Sequence, residues 1–181
     1  NLTEVWSYIN PFMLYGRHLG YKGNFEQALL HREHKALDLF HKVEEIKHGA
    51  REWMKVRAVW QYFEAERDGN TIHLFQAGQG TPAHSFHFGR QPLENGLCLS
   101  DYVLPAVPRR DSLALFVTTA GEGVRERSEE AKAAGRFVEA HALQALAIET
   151  AEAAAEYVHR RLREDWGQPD PADMTMQQRF T

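Results

Sequence analysis

The sequence contains a single cysteine, Cys98, which excludes an internal disulfide framework and fits a reducing, cytoplasmic setting. No apolar run approaches the roughly 20 residues that span a bilayer, so no membrane association is expected. A strong excess of one charge sign is also missing. The formal net charge is −4 with histidine neutral, which argues against a general polyanion binder and so against a nucleic-acid partner. There is no initiator methionine and no signal-peptide pattern, and a chain opening Asn1-Leu2-Thr3-Glu4 reads as a fragment or a processed segment. No internal repeat is visible. What is present suffices for a core: 43% of the 181 residues are hydrophobic, which suits one globular domain or part of a larger one.

Hydrophobic spacing divides the chain into alternating styles. Residues 1–23 are aromatic and punctuated, with a short helix carrying Val5, Trp6 and Ile9 that Pro11 ends, then a turn over Phe12–Leu19. A long helix is predicted over Asn24–Gly49, with Asn24 as N-cap and Gly49 as C-cap. From Trp53 to His87 the period shortens. Arg67-Asp68-Gly69-Asn70 reads as a hairpin turn between two strands, and His84–Phe88 alternates as a third. Arg90–Asp111 is loop with a helical turn near Leu99–Val103, and Ser112–Thr119 is a fourth strand. Val124–Asp165 is helical with a break at Gly135, rich in alanine, and carries a stripe of Leu143, Leu146, Ala147, Thr150, Ala154, Tyr157 and Leu162. Gly167, Pro169 and Pro171 stop it. The domain is expected over 1–167, with a polar extension over 168–181. The fold class is α+β, with long helices flanking a largely antiparallel sheet.

Few residues advertise chemistry. Glu149, Glu152, Glu156 and His159 share one side of the last helix, and Glu45 and His48 form a second Glu-x-x-His pair. Two such pairs are an element of carboxylate-bridged di-metal sites, but those need four helices. The favoured reading is solvated faces with ion pairs to Arg160, Arg161 and Lys47, and no metal site is assigned. His31, His34, His41 and His48 are expected on an exposed helix face. Cys98 reads as a buried structural thiol. Gly121-Glu122-Gly123 is a poor phosphate loop, and Arg109-Arg110 a solvated turn. No catalytic constellation emerges, so the residues by themselves support a soluble α+β binding domain.

One stretch carries more. Leu97-Cys98-Leu99-Ser100-Asp101-Tyr102-Val103-Leu104-Pro105, a spacer, and a strand ending Phe116-Val117-Thr118-Thr119-Ala120-Gly121 resemble the reactivation (S-adenosylmethionine-binding) domain of cobalamin-dependent methionine synthase. Phe88-Gly89-Arg90-Gln91, the Ala151–Trp166 helix with Trp166-Gly167 after it, the hairpin at Asp68-Gly69-Asn70 and the Tyr8-Ile9-Asn10 opening fall in the family's order, so the resemblance covers essentially the whole chain. It implies a twisted antiparallel sheet with flanking helices. It also implies part of a methyltransferase that presents S-adenosylmethionine to reactivate cob(II)alamin by reductive methylation. The cobalamin would be held by a neighbouring domain of the same protein, and flavodoxin or a flavoprotein reductase would supply the electron. By the same resemblance Asn10 stands where the family has an aspartate contacting the donor's amino group, and Glu152 matches a glutamate near the donor. The family's arginine-led glycine-tyrosine-proline-alanine-cysteine motif is not in this sequence, and much of the donor site is expected beyond Thr181. The competing reading is a non-catalytic module that docks on a corrinoid-binding domain without binding the donor.

Overall fold

The elements follow the hydrophobic spacing closely, with two departures near the N-terminus. The computed structural model describes residues 1–107, 109–175 and 178, so the end of the 168–181 extension lies outside the described residues. Helix α1 covers Leu2–Trp6, capped by the Asn1 side chain. The turn expected over Phe12–Leu19 is a π-helix, Phe12–His18. The single helix expected over Asn24–Gly49 is two, α2 at Phe25–Leu30 and α3 at His34–Ala50. Asn24 caps α2 as expected, its Oδ1 accepting the Gln27 N–H at 3.0 Å. The break comes at Arg32, whose φ of +54° is left-handed. Such a conformation is uncommon outside glycine and gives no compositional signal.

Strand β1 covers Arg57–Asp68 and β2 Thr71–Phe75, joined through Gly69, whose φ is +54°. Glycine takes that conformation without the Cβ clash other residues meet, which is why Asp68-Gly69 marked the turn. Strand β3 is His84–His87 and β4 Asp111–Thr119, with a 3₁₀ turn at Leu99–Tyr102 between them. The sheet is antiparallel, in the order β3-β2-β1-β4. Its register sets Glu64 against Phe75 and Asp68 against Thr71, then Thr71 against His87 and Leu74 against His84. Helix α4 spans Val124–Ala133 and α5 Phe137–Asp165, separated by Gly135 at φ +76°. The fold is α+β.

Two compact units divide the chain: 1–59 with 117–181, and 60–116. The first has a continuous apolar core in which α5 contributes Ala142, Leu143, Ala145, Leu146, Ala153 and Ala154. Alanine lets neighbouring backbone approach α5 closely at little side-chain entropy cost. Tyr15 and Phe25 stack there with ring centroids 3.8 Å apart. The second unit buries less, chiefly Ala65, Ile72, Leu74 and Val103, with Phe75 and Cys98 also enclosed. Among the described residues no helix is long and apolar enough to cross a membrane.

Candidate functional site

Burying a carboxylate costs free energy unless it is paired, and α5 buries one. Glu149 is only 1% exposed. Its partner comes from the π-helix: His18 Nε2 lies 2.9 Å from Glu149 Oε1. Burial, and secondarily the Glu152 charge, raise the Glu149 carboxyl above the usual range, while His18 pulls it back. His141, two turns earlier on α5, donates Nε2–H to the His18 carbonyl at 2.7 Å. One helix end is thereby held by its backbone and its imidazole at once.

Upstream, the same segment meets α5 twice more. Trp6 Nε1 donates to Thr150 Oγ1 at 3.0 Å, and Thr150 donates onward to the Leu146 carbonyl at 2.5 Å. Tyr8 packs edge-on against Tyr157, centroids 5.7 Å apart, and its hydroxyl takes a hydrogen bond from Arg160 Nη1 at 2.5 Å. Asn10 lies between these anchors. It is half-buried, and its Oδ1 accepts the Phe12 N–H at 3.0 Å while its carbonyl accepts the Leu14 N–H at 3.0 Å. It therefore caps the first turn of the π-helix, satisfying donors a helix start leaves open. Glu152 is exposed, three residues along α5 from Glu149. No hydrogen bond joins Asn10 to Glu152. The structure brings together the residues that flank them, through Tyr8 on one side and His18 on the other.

The carboxylate side of α5 is therefore not one solvated face. Glu149 is interior, and the expected ion pairs fall elsewhere: Lys47 meets Glu44 at 2.8 Å, Arg160 meets Glu164 at 2.7 Å and Arg161 meets Glu164 at 3.8 Å. The four histidines at 31, 34, 41 and 48 are exposed as expected. His159 is pushed below its usual range by partial burial and by the Arg163 charge. Sequence spacing could not pair His18 with Glu149, since 131 residues separate them.

In the second unit Cys98 is 3% exposed, and its Sγ accepts from Ser100 Oγ at 3.1 Å, in keeping with a structural thiol. Asp101 takes the Cys98 N–H at 2.9 Å and both terminal nitrogens of Arg90 at 2.7 and 2.8 Å. The Arg90 bonds first, then the Cys98 N–H, hold its carboxyl well below the usual range. Arg110 is not a solvated turn residue. Its guanidinium lies 3.4 Å from the Phe75 ring centroid and bonds Glu64 and Glu66, each at 3.1 Å. In the first unit Glu122 pairs with Lys55 and Arg57, which leaves the Gly121–Gly123 loop occupied by its own side chain.

Residues 1–180 match the family described as vitamin B12 dependent methionine synthase, activation domain. A 114-residue stretch, 59% of this chain, is 31% identical to a methionine synthase of Mycobacterium tuberculosis (strain ATCC 25618 / H37Rv), and spans 10% of that protein. The fold is similar to a crystal structure of the MetH reactivation domain bound to AdoHcy, with a TM-score of 0.88 at 24% identity over 99% of this chain. The chain spans 58% of that solved chain.

Proposed function

The chain belongs to the family of vitamin B12 dependent methionine synthase activation domains, and from that membership we propose that it serves to hold S-adenosylmethionine against a cobalamin carried by a neighbouring domain of the same protein. The observation that carries this reading is the family match over residues 1–180. The AdoHcy bound to the similarly folded domain supports the choice of ligand class. Under this reading the whole protein is a cytoplasmic methyltransferase. Residues 1–167 form the domain and 168–181 an extension, which Asp170 ties back by accepting from Arg163 Nε at 2.6 Å. The cobalamin-binding domain, and flavodoxin or a flavoprotein reductase as electron donor, are its partners.

The residues present suit a cationic methyl donor. S-adenosylmethionine supplies an electrophilic methyl group on a sulfonium. Glu152 is an exposed carboxylate beside a second one, and a negative field there favours a sulfonium or an ammonium group. Asn10 Oδ1 accepts one hydrogen bond from Phe12 and keeps a second lone pair for an ammonium donor. Its pairing is neutral, weaker than the charge-assisted bond an aspartate would make. The π-helix and α5 fix both positions, so their part in the reaction is orientation.

Isothermal titration of the whole protein with S-adenosylmethionine tests this. Saturable binding is expected, with Glu152→Gln weakening it about tenfold, or ~1.4 kcal/mol, and Asn10→Asp strengthening it. Absence of binding by the whole protein, or full affinity in Glu152→Gln and Asn10→Ala together, overturns it. Retained binding to the corrinoid domain without donor binding identifies a docking module instead, the reading favoured by the neutral Asn10.

A further inference from the structure

A cleft of about 290 Å³ opens between α3, α4 and α5. It shares no lining residue with Asn10 or Glu152 and lies wholly within the first unit. That volume is at the small end for ligand sites, which start at roughly 300 Å³. Its ionic lining is balanced: Lys42, Arg127 and Arg136 against Glu45, Glu130 and Glu139. Two of the cations are already committed, Lys42 to Glu45 at 3.0 Å and Arg136 to Glu139 at 3.1 Å.

Arg127 and Glu130 differ from these. Arg127 is half-buried, and its guanidinium carbon lies 4.4 Å from the centroid of the Trp53 ring. Among the described residues no carboxylate lies within ion-pair distance of it, and no cation within that distance of Glu130. Residues three apart on a helix have Cβ atoms about 5–6 Å from each other, so a cationic and an anionic group face the cleft side by side without meeting. A guanidinium stacked on an aromatic face has its orientation fixed and its N–H edge open, which suits a carboxylate. Glu130 supplies the matching acceptor for an ammonium. Trp53, Ile46 and Leu143 add apolar wall. A balanced lining penalises a ligand of net charge, whereas a zwitterion satisfies both open groups.

We propose that this cleft binds a small zwitterion of the α-amino acid class with an apolar side chain, its carboxylate on Arg127 and its ammonium on Glu130. The site is distinct from the methyl-donor site proposed above and does not depend on it. The test is a two-dimensional NMR titration of the protein with L-norleucine, N-acetyl-L-norleucine and L-norleucinamide, following the Trp53 indole and Arg127 Nε signals. Saturable shifts are expected for L-norleucine, with the anion and the cation each binding about tenfold more weakly, since each loses one charged hydrogen bond. Arg127→Gln and Glu130→Gln should each weaken L-norleucine about tenfold. Equal binding of N-acetyl-L-norleucine overturns the zwitterion assignment, and lack of saturable shifts with L-norleucine overturns the site. The three-ligand series on the unaltered protein decides the matter even if a variant fails to fold.

Discussion

The two units solve the same problem by different means. The helical unit closes over a broad apolar core and tolerates a few buried polar groups, each with a partner: Glu149 with His18, Thr150 with Trp6, Ser128 with Gln144. The strand-rich unit encloses few side chains and fastens its loops with arginine. Arg90 forks onto Asp101 and reaches the Gly96 carbonyl and Asn70, and Arg110 stacks on Phe75 between two glutamates. Apolar burial scales with area and is not screened by salt, whereas exposed ion pairs are. The same chain should therefore answer to different perturbations in its two halves.

The strongest way to break the contrast is to open the helical core. Leu146 is 1% exposed, and Leu146→Ala should cost about 3 kcal/mol by urea titration followed through far-UV dichroism, with an unchanged m-value. A loss below about 1 kcal/mol would mean that the alanine-rich helix collapses to fill the gap. Next in size is Trp6→Phe, which replaces the buried indole by a smaller ring and removes the Nε1–H donated to Thr150. Thr150 still donates to Leu146, so the cost is one hydrogen bond and the apolar volume of the lost ring, about 2 kcal/mol.

Smaller effects distinguish the arginine-fastened unit. Asp101→Asn removes the charge that Arg90 grips and should speed amide exchange at Cys98, whose N–H bonds that carboxylate. Raising salt in the unaltered protein should act in the same direction there and leave the amides around Leu146 unmoved.

Acid separates the units by sign. Asp101 has its carboxyl held below the ordinary value, so its contribution is present above the unfolded pKa near 3.9 and is lost as pH falls through the folded one. Glu149 is raised, so its contribution is full below the unfolded pKa near 4.3 and is lost as pH rises through the folded one. Carboxyl carbon titrations should show the Asp101 midpoint below, and the Glu149 midpoint above, those ordinary values. Coincident midpoints would remove the contrast.

What was legible in the sequence was local. Asp68-Gly69 announced its hairpin because the turn needs a residue that accepts positive φ, and Asn24 announced its cap. Gly135 announced the helix break. Arg32 did the same work as Gly135 but without glycine, so the α2–α3 division was invisible. The buried Glu149 and the stacked Arg110 were misread as surface, because each is explained by a residue far along the chain, His18 and Phe75, and charge alone says nothing about distant partners. The donor-site residues were reached through motif order, Asn10 and Glu152 by correspondence with the family. The structure adds to that reading a local duty for Asn10 as a cap.

The π-helix carries a consequence for how this chain tolerates change in length. Its hydrogen bonds run five residues back, as from the Leu19 N–H to the Leu14 carbonyl at 3.0 Å, so each hydrogen-bonded loop encloses one residue more than in an α-helix. Deleting a single residue such as Gly16 would let the segment relax to ordinary α geometry with little loss of backbone bonding. Because an α-helix turns further per residue, about 100°, the shortened segment would sweep nearly the same angle as the wider turns of Phe12–His18. His18 would then still face Glu149, and the buried carboxylate would keep its imidazole. A one-residue deletion in this segment is thus absorbed before it reaches the chain's grip on its longest helix, as if the extra residue were slack held in reserve.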